Sequence, residues 1–179
     1  VVIKPSLKRT AYHEAGHALV AYVFGWEFEE LNIVPDSEGR YGAITLSRLP
    51  IFPEEFDGSL DQRRQIEEAM MIVAGGAAGE RLAFMRCFKH LYGSDHTELL
   101  SYAMRLTLYK DEYNAHIEWI YHRTRHLLLQ KVYRCVVEEV ASALLAGRTL
   151  EPTAALGLLD PWESALRRTL TPGLTWGRL

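Results

Sequence analysis

Cysteine is almost absent. The chain holds two, Cys87 and Cys135, far apart and in no CxxC pattern. A disulfide framework is therefore not expected, and two buried thiols fit a reducing soluble compartment such as the cytoplasm. Long apolar runs are missing too. The longest uncharged stretch in the helical part, Ala69 to Gly79, falls well short of the ~18 residues a membrane-spanning helix requires. No signal peptide is visible, and a chain that starts at Val1 leaves room for an anchor or partner domain upstream. Nor does one charge dominate. The 20 Lys and Arg stand against 23 Asp and Glu for a net −3, without a dense basic stripe, so no nucleic-acid partner is expected. Internal repeats, low-complexity tracts and the Gly-x-x-x-x-Gly-Lys-Ser/Thr phosphate loop are all lacking.

What is there has the make-up of one globular domain, with 48% hydrophobic and 24% charged residues in 179, enough for a core. Apolar residues recur at helical spacing over 7–25, and Gly25 fits the end. Two β-like runs follow, "FEELNIVP" and "YGAITLS", separated by the turn chemistry of "DSEGR". After a loop with Pro50 and Pro53, Ser59 or Asp61 caps a second helix that reaches about Arg86, with Ile66, Met70, Val73 and Ala77 along one side. Gly75 and Gly76 inside it cost roughly 1 kcal/mol each against alanine, so another helix should approach closely there. A third helix spans about Asp95–Tyr109. The longest runs from about Glu112 to Ala146, stopped by Gly147. A short helix follows in "TLEPTAALGLL", and the tail from 157 has no assignable structure beyond Trp162 and Trp176 as anchors. The expected fold is predominantly α with a small β-sheet, an α+β domain over residues 1–156 with a C-terminal tail over 157–179.

The chemistry concentrates in "TAYHEAGHALVAY", where His13 and His17 flank Glu14. Residues i and i+4 share a helix face, so both imidazoles can address one ion. Neutral imidazole is a favoured zinc ligand, and a catalytic zinc takes three protein ligands and a water. Glu14 is then placed as the general base for that water. This is the HExxH arrangement of metallopeptidases. "HRTRH" repeats the spacing with His122 and His126 but lacks the glutamate, and its arginines suggest a solvated face.

A third ligand must come from elsewhere. The metzincin extension fails, because Val20 and Val23 occupy its glycine and histidine positions. A thermolysin-like glutamate leaves Glu38, Glu67, Glu68 and Glu80, and "YGSDHTELL" adds Asp95 and His96 at the start of a helix. A substrate peptide held as an extra strand would use an exposed sheet edge. The candidate is Gly42, Ala43, Ile44 and Thr45, where Gly42 permits close backbone approach.

These segments resemble the peptidase domain of the FtsH family of ATP-dependent zinc metalloproteases over roughly residues 8–156. The similar stretches are "TAYHEAGHALVA", "LNIVPDSEGRYGAITLS", "IVAGGAAGERLAF" and "VEEVASALLAGRTLE". The resemblance implies zinc as cofactor and an aspartate that opens a helix as third ligand. One alignment puts His96 at that position. The other, with a short deletion, puts Asp95 there and sets Leu99, Tyr102, Ala103 and Leu106 on the family's apolar positions, and it is preferred. The family also implies polypeptide substrates, and either self-association or an ATPase partner. The chain departs from it at Asp36, where arginine is usual, before Asp95, and beyond 157, which suggests a stand-alone relative. The expected function is a zinc endopeptidase for unfolded or flexible polypeptide. The alternatives are a peptidase-like scaffold that holds zinc without cutting, and hydrolysis of a non-peptide amide.

Overall fold

A computed structural model describes residues 6–35, 41–46, 58–84 and 94–170. Glu38, Cys87 and Trp176 lie outside the described residues. Seven α-helices and a three-stranded sheet are seen among them, so the chain is predominantly α with a small β component.

The first helix, α1, runs Leu7–Val23, and its start is set by Ser6, whose Oγ accepts from the Arg9 amide at 3.3 Å. From Glu14 to Val23 it is buried on every side, so apolar residues run right round the helix, with Glu14 and His17 the buried polar exceptions. The strands β1 (Phe28–Pro35) and β2 (Tyr41–Leu46) pair antiparallel, with Leu31 opposite Ile44 and Asn32 opposite Ala43. Behind β1 lies a strand that hydrophobic patterning did not flag, β3 (Thr149–Leu150), pairing Leu31 with Leu150 and Asn32 with Thr149. Two residues carry no readable period, so only the tertiary pairing defines it. The order β2-β1-β3 leaves β2 on an edge among the described residues.

Helix α2 (Leu60–Ala83) starts on Ser59, whose Oγ accepts from Gln62 N at 3.1 Å, and closes at the extended Phe84, short of Arg86. It crosses α1 at a glycine contact. A Cβ on Gly16 would stand 2.1 Å from the Gly75 carbonyl oxygen, and one on Gly79 would stand 2.2 Å from the Tyr12 carbonyl oxygen. No side chain fits between these backbones, and the helical cost of the glycines is the condition for that approach.

Helix α3 spans Ser94–Leu106 and ends before Tyr109. The expected single helix over 112–146 is two: α4 (Lys110–Leu129) and α5 (Lys131–Gly147), broken at Gln130 with ψ 139°. No proline or glycine marks the break. Packing decides it, since α4 lies on α2 while α5 lies on α1. At the end of α5 the left-handed residue is Arg148 (φ 72°) and not Gly147, which sits one position early inside the helix. Cys135 is half-buried rather than buried.

Helix α6 (Pro152–Leu159), a 3₁₀ turn (Asp160–Trp162) and α7 (Glu163–Arg168) complete the described chain. They pack on the core: Leu159 and Leu166 are buried, and Tyr133 Oη donates to the Leu166 carbonyl at 2.9 Å. Tyr22 Oη donates to Asp160 Oδ1 at 2.8 Å, and Trp162 Nε1 to Glu139 Oε2 at 2.9 Å.

Candidate metal centre

At the glycine crossing, α1 presents Arg9, His13 and His17 on one face, four residues apart. The facing side of α2 presents Ile72, Gly76 and Glu80 at the same interval. His17 Nδ1 donates to the Ile72 carbonyl at 2.7 Å, and His13 Nδ1 donates to Glu80 Oε1 at 2.9 Å. Gly76 leaves the space for both rings. A Cβ there would lie 2.4 Å from His17 Nε2 and 2.6 Å from His13 Nε2.

These bonds settle the chemistry of the opposite ring nitrogens. A carbonyl and a carboxylate accept hydrogen, so each neutral ring carries its proton on Nδ1 and turns a lone pair outward from Nε2. The two Nε2 atoms are 3.0 Å apart, and Asp95 Oδ2 stands 3.1 Å from that of His13 and 3.5 Å from that of His17. Three electron-pair donors converging without a cation repel one another. A tetrahedral zinc with ligand bonds of about 2.0–2.1 Å separates its ligand atoms by about 3.3 Å, which this triangle matches. The residues present therefore fit a zinc ion. His13, His17 and Asp95 are the one His/Cys/Asp/Glu group found among the described residues with the spacing to hold a metal.

The electrostatics show how strongly this triangle draws positive charge. Burial works against a charge on His13, but hydrogen bonds to the Asp95 and Glu80 carboxylates outweigh it and lift its pKa to about 10, so a bound metal takes the place of the proton that His13 Nε2 otherwise holds. Burial also disfavours ionised Asp95, yet the two imidazoles hold that carboxyl well below its ordinary range. Glu80 is held low in the same way, first by His13 and then by Arg9.

Glu14 is buried beside this group, 4% exposed. Burial raises its pKa, while the neighbouring imidazoles pull it back down. The wall next to it is the edge strand. Gly42, with φ 84°, lies so close that a Cβ would stand 2.6 Å from Glu14 Oε1 and 2.6 Å from Thr10 Cγ2. Ala43 and Thr45 are exposed, while Gly42 and Ile44 are half-buried.

The other sequence candidates lie elsewhere. His96 is exposed and outside the group, because it sits one residue, about 100°, round α3 from Asp95. Glu67 pairs with Arg63 at 3.0 Å, and Glu68 pairs with Arg64 at 2.8 Å. Glu80, expected as a candidate ligand, instead orients His13. His122 and His126 are both exposed on α4. What sequence reasoning missed is the outer layer: the Ile72 carbonyl, the Gly76 gap and the Arg9–Glu80 pair. The signal was the four-residue interval 72–76–80 facing 9–13–17.

No protein-family model matches the chain. The ATP-dependent zinc metalloprotease FtsH 2 of Sphaerobacter thermophilus is 38% identical over 74 residues, 41% of this chain and 11% of that protein. The mitochondrial inner membrane m-AAA protease component AFG3L1 of Mus musculus is 27% identical over 208 aligned positions, 94% of this chain and 25% of that protein. The chain thus spans a quarter or less of the curated relatives it matches. The similarity to FtsH-type proteases is distant and low in identity. Among the described residues, no helix is long and apolar enough to cross a membrane.

Proposed function

We propose that the chain is a zinc-dependent metalloendopeptidase that hydrolyses peptide bonds of unfolded or flexible polypeptides, with His13, His17 and Asp95 as metal ligands and Glu14 as general base. The observation that carries this reading is the convergence of three lone-pair donors from two helices, at zinc spacing, beside a buried carboxylate. Similarity to a protein named as a zinc metalloprotease points the same way.

A zinc ion held there supplies Lewis acidity, polarising a scissile carbonyl and lowering the pKa of a water. The chain's own groups do the rest. Glu80 and the Ile72 carbonyl fix the tautomer and the plane of each imidazole, so that Nε2 of both rings faces inward. Glu14 accepts a proton from the attacking water at its carboxylate and delivers it to the leaving amine. Burial strengthens it as a base relative to an exposed glutamate. Gly42–Thr45 receives the substrate backbone as an added strand, and the missing side chain at Gly42 keeps the approach to Glu14 open.

Glu14→Gln tests the mechanism. The purified wild type should cleave casein, and the variant should lose cleavage while both retain one zinc per chain. Undiminished cleavage by the variant would sink the role of Glu14. A wild type that holds zinc yet cuts no unfolded protein or peptide library would replace the peptidase reading with the scaffold one.

A further inference from the structure

The acceptor that orients His13 is itself gripped from outside. Glu80 takes the His13 Nδ1–H on Oε1 at 2.9 Å, and its other oxygen, Oε2, takes the Arg9 Nε–H at 2.6 Å. Arg9 and His13 belong to the same face of α1, whereas Glu80 reaches across from α2. The three side chains form a continuous line toward the metal position, none of them more than 27% exposed. A glutamate near a helix end has three rotatable bonds, and a carboxylate held by one oxygen can still swing its plane. A guanidinium on the second oxygen removes that freedom, because its donors lie in a rigid plane.

We infer that Arg9 is a positioning residue for the metal centre: by clamping Glu80, it fixes the ring of His13 and so sets the affinity for zinc. The inference rests on reading His13, His17 and Asp95 as a zinc site. Partners one step outside the ligands usually change metal affinity by 10–100-fold, and Arg9 stands one bond further out, so an effect of about tenfold is expected. An opposing effect is built in, since a fixed positive charge near the site repels a divalent cation. Losing Arg9 tightens binding if that repulsion dominates, and weakens it if the clamp dominates. The 2.6 Å bond, and a Glu80 side chain that is only 11% exposed, favour the clamp.

The test is a zinc titration against a competing chelator for wild type, Arg9→Ala, Arg9→Lys, Glu80→Gln and the Arg9→Ala/Glu80→Gln double variant. Arg9→Ala should bind zinc about tenfold more weakly. Arg9→Lys, which keeps a donor and the charge but not the rigid plane, should recover only part of the loss. The double variant should match Glu80→Gln alone, because the clamp reaches the metal through that carboxylate. Cobalt(II) in place of zinc should give a visible spectrum that shifts in Arg9→Ala and returns toward wild type in Arg9→Lys. If Arg9→Ala fails to fold, Arg9→Gln takes its place in the same comparison. Equal or tighter zinc binding by Arg9→Ala overturns the inference, and so do losses that multiply in the double variant. Neither result touches the zinc reading, which falls only if the wild type binds no zinc.

Discussion

At the scale of single residues, the site is made by what is absent from Gly76 as much as by what His13 and His17 supply. The space where its side chain would stand is filled by two imidazoles. Gly76→Ala should therefore leave the helices formed, since alanine is the better helix former by roughly 1 kcal/mol. The added methyl should displace at least one Nε2, and zinc retention after desalting should fall at least tenfold. Metal analysis beside far-ultraviolet circular dichroism checks both halves, and a variant that keeps its zinc contradicts this account of the gap. How much of this was legible in sequence differs by residue. His13, Glu14 and His17 announce themselves by spacing alone. The choice between Asp95 and His96 depended on where α3 begins. With Ser94 as its first residue, Asp95 shares a face with the buried Leu99 and Ala103 while His96 turns to solvent. Glu80 was visible only as one glutamate among several, because its partner His13 is 67 positions away.

At the scale of elements, local chemistry settled the starts of α1 and α2 but not every helix end. Ser59 caps α2 as its sequence position suggests, and Ser6 caps α1 in the same way. The end of α5 is different: Gly147 stands one residue too early, and Arg148 adopts the left-handed conformation instead. An L-residue with a side chain costs roughly 1–2 kcal/mol there. Arg148→Gly should recover part of this, raising the melting temperature by about 2–4 °C for each kcal/mol gained. Thermal unfolding of the two proteins reads it directly, and an unchanged or lower midpoint shows that Arg148 makes compensating contacts. The break at Gln130 and the two-residue β3 are the elements the sequence concealed. Neither has a breaker or a period, and both are imposed by what lies alongside: α1 and α2 for the break, β1 for the strand.

At the scale of the whole molecule, the core continues past residue 156, into the segment read from sequence as a tail. Leu159 and Leu166 are fully buried, and Tyr22, Tyr133 and Trp162 tie residues 160–166 to α1 and α5. Ending the chain at Leu156 would expose the surfaces these residues cover. Each fully buried leucine contributes about 1.5–3 kcal/mol, so the shortened chain should unfold at a clearly lower urea concentration. An unchanged midpoint would mark 157–179 as a separable tail. The sequence by itself determined the helical class, the HExxH helix and the short list that contained Asp95. These follow from periodicities of a few residues and from side-chain types, which neighbouring chain positions carry in full. Only the tertiary structure decided which acidic residue meets the imidazoles, which one orients them, and why four glycines interrupt good helices. The last two depend on α1 and α2 meeting about sixty residues apart in sequence, with backbones so close that no Cβ fits between them, and the first on α3 bringing Asp95 to the same face from about eighty positions away.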